Sequence, residues 1–156
     1  EYVIFEKDGP ATAGLEKLAE MGAHNPLDDE IRAAIQAGKA GALFEGSPIF
    51  GPPGQAVSEF DIDERHPMVS VVAMIAPSPD WFAGVANVSL QENGEWVAKK
   101  TVTLEAWDAG TDGGTTYKAP DADSQPRQPI AVNGSAAHFG MTGARPTVAT
   151  VTFTKQ

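Results

Sequence analysis

The sequence predicts a mainly β protein, an antiparallel β-sandwich that carries two short helices near its N-terminus. From residue 68 onward, several segments alternate apolar and polar side chains, as a half-buried strand does. The dipeptide Asn93-Gly94 separates two of these segments and is a strong hairpin signal. Helix-capping residues occur between residues 12 and 38. We therefore expect two helices first and strands after them.

The two predicted helices have recognisable ends. Thr12 is a suitable N-cap for a helix that runs to Met21, and Gly22 can end it in a left-handed conformation. A second helix is predicted from Asn25-Pro26 to Gly38. Its first turn contains three acidic residues: Asp28, Asp29 and Glu30. We interpret these as charges that the helix dipole favours at this position rather than as a metal cluster.

Seven segments have strand character. They are residues 1–5, 56–62, 68–76, 82–90, 95–106, 130–132 and 147–154. The first begins abruptly, so we expect that this single domain lacks its first strand at the N-terminus. Segment 68–76 is apolar at nearly every position, which predicts a central strand.

The composition of this 156-residue chain limits its function. Hydrophobic residues make up 42%, enough for one core, and no apolar run approaches the ~20 residues of a membrane span. A formal net charge of -10 disfavours nucleic-acid binding and suits divalent cations. The absence of cysteine excludes disulfides and thiolate chemistry, and it favours a bacterial source.

Three aspartates near the ends of predicted strands form the candidate site. Asp80 follows segment 68–76, and Asp108 follows the strand that returns from a hairpin, so the two lie at the same end of the fold. Asp112 can join them if the intervening loop curls, which Gly110 permits. We predict that the three carboxylates bind one calcium ion, because calcium prefers hard oxygen ligands.

Other interpretations of these residues remain open. Asp80 could instead cap a turn after Pro79, while Asp108 and Asp112 make ordinary Asx turns, and spacing alone favours neither interpretation. Tryptophans Trp81, Trp96 and Trp107 could stack on sugars, but a core role is favoured. Phe82 could insert into a membrane, but it too is expected in the core. No hydrolase motif or phosphate-binding loop accompanies the three histidines, so we expect no enzyme activity.

Two blocks of the sequence resemble the signature of the spondin domain. They read Pro77-Ser78-Pro79-Asp80-Trp81-Phe82-Ala83-Gly84-Val85 and Trp107-Asp108-Ala109-Gly110-Thr111-Asp112-Gly113-Gly114. This domain is the β-sandwich of matrix proteins such as F-spondin and mindin, and it has bacterial relatives. The N-terminal run Leu15-Glu16-Lys17-Leu18-Ala19-Glu20 resembles the bacterial members more closely.

The resemblance implies a fold like that of calcium-dependent lipid-binding domains, an exported protein, and a calcium ion held by Asp80, Asp108 and Asp112. It also implies adhesion or recognition, although animal members contain cysteine and their partners are not transferred. We therefore expect a secreted or periplasmic calcium-binding module, without enzyme activity, that recognises an extracellular protein or glycan. The alternative is calcium-dependent peripheral binding to anionic membranes. The oligomeric state is left open.

Overall fold

Two helices precede the strands in the computed structural model, which describes residues 2–51, 54–139, 142 and 147–156. Helix α1 spans Ala13–Met21; Thr12 accepts a hydrogen bond from the Leu15 amide, and Gly22 ends the helix at φ 67°. Helix α2 spans Leu27–Gln36 and carries Asp28, Asp29 and Glu30 in its first turn. Pro26, the predicted first helical residue, is instead the N-cap, so the helix begins one position later than predicted.

Seven strands and one short 3-10 helix, Ala136–Phe139, follow within the described residues. The strands are β1 (Met68–Met74), β2 (Trp81–Ser89), β3 (Gln91–Glu92), β4 (Glu95–Trp96), β5 (Lys99–Asp108), β6 (Ala131–Val132) and β7 (Ala149–Thr154). Strands β3 and β4 form the predicted hairpin, in which Asn93 and Gly94 have φ angles of 53° and 83°. Positive φ at both turn residues is typical of a type I′ turn.

Strands β1, β2, β5, β6 and β7 form one curled antiparallel sheet, a half-barrel. Its order is β1-β2-β5-β6, and β7 also pairs with β5. Strand β5 pairs with different strands along its length: residues 105–108 pair with β2, and residues 99–104 pair with β7. The predicted fold class, mainly β and antiparallel with two short helices, is confirmed.

Four strand predictions need correction. Segments 2–5 and 56–62 are irregular, and segment 95–106 is divided between β4 and β5. Strand β1 lies at the end of the sheet order rather than in its centre. It is apolar on both faces because its side chains pack in two separate clusters. Val72 packs in the cluster that contains the helices, whereas Val69 and Val71 pack in the other.

The core joins the helices to the sheet. Leu15 and Ala19 of α1 and Ile31 of α2 are buried in one cluster with Phe82 of β2. Phe5 packs edge-on against Phe82, with ring centroids 5.0 Å apart, although residues 2–5 form no strand. The helices thus cover the face of the sheet beneath the Asp80 end of β2. Neither described helix has the length and apolar composition needed to cross a membrane.

Candidate metal centre

The pairing of β2 with β5 places Asp80 beside Asp108. Trp81 opens β2 and pairs directly with Asp108 at the end of β5. Asp80 is the residue before Trp81, and its carbonyl accepts a hydrogen bond of 3.1 Å from the Ala109 amide. The predicted return of the chain to one end of the fold is therefore what the structure shows.

The loop after β5 curls around the Asp80 carboxylate. Gly110 has φ 76° and donates its amide to Asp108 Oδ1 at 2.9 Å. The next two amides, of Thr111 and Asp112, donate to Asp80 Oδ2 at 2.7 and 3.1 Å. The Thr111 hydroxyl also donates to Asp80 Oδ2, at 3.3 Å. One buried carboxylate oxygen thus fixes the conformation of the loop.

The two oxygens of Asp80 differ in their surroundings. Asp80 is 0% exposed, and its Oδ2 accepts all three of the hydrogen bonds described above. Its Oδ1 is also buried but has no hydrogen-bond partner among the described residues. A buried carboxylate oxygen without a donor is unfavourable unless a cation or water satisfies it.

Burial and like charges raise the pKa of two of the carboxyls. Loss of solvent, followed by the nearby negative charge of Asp108, raises the pKa of Asp80 to about 6. Burial likewise raises the pKa of Asp108; the Gly110 amide and the Trp81 indole oppose this, while Asp112 adds to it. Trp81 Nε1 makes no hydrogen bond of normal geometry with the described residues. A divalent cation would relieve the repulsion that raises both pKa values.

Asp108 and Asp112 also make the local turns that we considered as an alternative. The Oδ1 of each accepts a hydrogen bond from the backbone amide two residues ahead, which is that of Gly110 for Asp108 and that of Gly114 for Asp112. Asp112 Oδ2 accepts a further hydrogen bond of 2.8 Å from the Ala122 amide. Asp80 makes no such turn, because its Oδ2 accepts from Thr111 and Asp112 and its Oδ1 has no partner among the described residues. The turns and a metal site are compatible, since a carboxylate oxygen has two lone pairs.

The charges of the three aspartates influence one another, but their carboxylate oxygens are not close enough together to surround one ion. Asp108 raises the pKa of Asp80, and Asp112 raises that of Asp108. They do not bring one oxygen each within 4.8 Å of the other two. The available donors are nevertheless hard oxygens, one of them buried and unpartnered, and this set fits calcium.

Arg127, which sequence reasoning did not single out, anchors the loop from outside. Its guanidinium donates to the Thr111 carbonyl at 3.0 Å and to Glu16 of α1 at 2.8 Å, and it also pairs with Asp123. Since Glu16 and Arg127 are 111 residues apart in the chain, no local pattern could have indicated the contact. Arg127 therefore ties the helical layer to the loop, and its ion pairs are with Glu16 and Asp123.

A cleft of about 380 Å³ adjoins Asp108. Residues of the segment after the loop line it, together with His138 of the 3-10 helix. Asn133, which is 4% exposed, shares a 2.8 Å hydrogen bond between its Oδ1 and His138 Nδ1. The His138 ring stacks on Trp81 at a centroid distance of 5.4 Å. The cleft thus shares Asp108 with the acidic site, and its His138 stacks on Trp81, the residue after Asp80.

This fold and site define a β-sheet domain that gathers carboxylates at one end of its sheet. Sequence comparison identifies the family: residues 1–140 match the Spondin_N family, so the chain belongs to it. The resemblance seen in the two sequence blocks is therefore confirmed.

Relatives in animals cover most of this chain. Human Spondin-2 is 34% identical over 131 residues, which are 83% of this chain and 40% of that protein. Spondin-1 of Xenopus laevis is 35% identical over 136 residues, 83% of this chain and 17% of that protein. The chain thus spans less than half the length of these curated relatives.

We predict that the metal-free protein loses stability as the pH rises from about 4 to about 7. The folded state holds the pKa of Asp80 near 6, above its ordinary value of 3.8. The stabilisation is therefore complete below about 3.8 and disappears as the pH passes through about 6. The full effect is roughly 3 kcal/mol. Urea denaturation in a chelator measures it, and the Asp80→Asn variant, which cannot titrate here, should show a flatter profile. Parallel profiles of the two proteins would contradict this prediction.

A second prediction concerns the curl of the loop. Gly110 and Gly94 both have positive φ, but a Cβ at Gly110 would overlap the Gln128 carbonyl, whereas one at Gly94 meets nothing within 4 Å. Gly94→Ala should lower the free energy of unfolding by about 1–2 kcal/mol through backbone strain alone. Gly110→Ala should lower it by roughly 2 kcal/mol more, because strain and overlap combine. Equal losses in urea denaturation would show that the loop is not held as described.

Proposed function

We propose that this chain is a calcium-binding recognition or adhesion module without enzyme activity, which acts outside the cell or in the periplasm. The observation that carries the proposal is the buried, unpartnered Oδ1 of Asp80 within a group of carboxylates. Membership of the Spondin_N family supports the module as a whole.

The chemistry of the site supports calcium over softer metals. Asp80, Asp108 and Asp112 would hold the ion through carboxylate oxygens, with backbone carbonyls or water completing the six to eight ligands that calcium takes. No nitrogen or sulfur ligand lies among these three side chains, which disfavours zinc. The ion would supply positive charge against the mutual repulsion of the carboxylates, so the three side chains would draw together on binding.

The cleft beside Asp108 supports recognition of a ligand at this end of the domain. It combines a carboxylate, the His138 ring and the side chain of Asn133, so it offers both hydrogen-bond donors and acceptors. The proposed partner is an extracellular protein or glycan that presents hydroxyl or carbonyl oxygens. A partner with many phosphates is disfavoured by the formal charge of -10.

Calcium-dependent binding to anionic membranes is the second candidate function. The acidic chain would be repelled from such membranes without calcium, and bound calcium would reduce that repulsion. Phe82 is 0% exposed and packs in the core, so it is not the residue that would insert. Co-sedimentation with vesicles of anionic lipid, in calcium and in chelator, separates the candidates, because a protein or glycan module should stay in the supernatant in both.

Calcium titration tests the proposed site. At a calcium concentration of about 100 times Kd, the unfolding free energy should rise by about 2.7 kcal/mol, which corresponds to roughly 5–10 °C in Tm. Asp108→Asn should lose most of this rise, because it removes a ligand charge. Asp121→Asn, a change at an exposed aspartate of the neighbouring loop, is the matched control and should keep it.

Two results would count against the calcium site. One is a Tm of the parent chain that calcium leaves unchanged. The other is an equal response of Asp108→Asn and Asp121→Asn, since both variants remove one negative charge and only Asp108 belongs to the proposed site.

A further inference from the structure

A second group of possible metal ligands lies around the start of α2. His24 comes from the turn between the helices, Asp28 from the first turn of α2, and Glu45 from the irregular segment after α2. One ligand atom from each lies within 4.8 Å of the other two. His24 Nδ1 is 3.3 Å from Glu45 Oε2 and 4.0 Å from Asp28 Oδ2.

Asp28 differs from the two acidic residues that follow it. Glu30 accepts a 2.8 Å hydrogen bond from the Gly14 amide, and the side chain of Asp29 is 70% exposed. Asp28 is only 8% exposed, and its carboxylate accepts no hydrogen bond from the described residues. Its ion-pair contacts there are Arg32 at 3.6 Å and His24 at 4.0 Å. A charge at a helix N-terminus therefore explains Asp29 and Glu30 better than it explains Asp28, whose nearly buried charge is balanced only by Arg32 and His24 at 3.6 and 4.0 Å.

We propose that His24, Asp28 and Glu45 bind a divalent transition-metal ion of the zinc class. An imidazole nitrogen with two carboxylate oxygens is a ligand set that zinc accepts and calcium does not favour. Zinc bonds of 2.0–2.2 Å in a tetrahedron separate neighbouring ligand atoms by roughly 3.3–3.5 Å. The His24 and Glu45 atoms already have this spacing. The 4.0 Å between His24 Nδ1 and Asp28 Oδ2 has to shorten by about half an ångström, and water takes the fourth position.

Arg32 is the group that competes with the ion. Its guanidinium lies 3.6 Å from Asp28 Oδ2 and 3.7 Å from Glu45 Oε1, so it supplies the positive charge between the carboxylates when no metal is bound. Its side chain is half-exposed and also lies 3.5 Å from Asp29 Oδ1. Arg32 can therefore turn towards Asp29 when a metal binds. Because displacing Arg32 costs free energy, its removal should strengthen metal binding.

This inference does not depend on the proposed calcium site. The two ligand sets share no residue, and they lie on different elements: the ends of β2 and β5 in one case, and the start of α2 in the other. Failure of either site would leave the other intact. Zinc binding should persist in Asp108→Asn, and excess calcium should not displace the zinc.

Zinc titration by calorimetry, with competition against a chelator of known affinity, tests the proposal on the intact chain. The parent should bind zinc at one site that His24→Gln weakens at least tenfold. His66→Gln is the matched control, because His66 lies 3.4 Å from Asp63 but belongs to no such trio among the described residues. His66→Gln should bind as the parent does, and Arg32→Gln should bind several-fold more tightly.

The variants also distinguish a metal site from an ordinary surface ion-pair network. In such a network, replacing Arg32 leaves two uncompensated carboxylates but creates no one-to-one site that depends on His24. The proposal is overturned if neither the parent nor Arg32→Gln binds zinc at one site, or if His24→Gln and His66→Gln weaken zinc binding equally. Thermal unfolding of each variant without metal verifies that the comparison is made between folded proteins.

Discussion

The buried carboxylate of Asp80 is the interaction on which this end of the molecule depends. Asp80 lies immediately before β2 and next to Trp81, which is 0% exposed. Its Oδ2 accepts hydrogen bonds from the amides of Thr111 and Asp112. Hydrogen bonds to a charged acceptor contribute about 1.5–3 kcal/mol each, but burial of the charge opposes them. The raised pKa of Asp80 shows that burial and repulsion outweigh these bonds in the absence of metal. We propose that this arrangement is organised in advance for a cation, at the expense of stability without one.

Arg127 extends this organisation to the rest of the domain. It holds the Thr111 carbonyl on one side and Glu16 of α1 on the other, so the loop that wraps Asp80 is also attached to the helical layer. The same helices bury Phe82 from below. A cation that draws the carboxylates together would therefore act on a loop that is fixed at both ends. The movement that such a cation caused would be confined to the side chains and to the adjoining cleft.

Local chemistry explains which parts of the structure could be predicted from the sequence. Thr12 acts through its side chain on the next helical turn, and Gly22 and Asn93-Gly94 act through their own backbone, so the helix ends and the hairpin follow from neighbouring residues. Segment 56–62 alternates like a strand but is irregular, because alternation specifies burial of one face and not a hydrogen-bonded partner. Phe60 accordingly packs on Phe153 without joining a ladder. Contacts such as Arg127 with Glu16, or Glu45 with His24, join distant residues and need the fold to be known.

The most direct test of the account is a crystal structure of the protein grown with calcium, with an anomalous-scattering map to identify the ion. We expect a calcium peak at about 2.3–2.6 Å from Asp80 Oδ1, with Asp108 and Asp112 oxygens also in contact. A map that shows no peak there, with Asp80 Oδ1 bound to water or to a protein donor instead, would contradict the central claim that this carboxylate is buried in order to hold a metal.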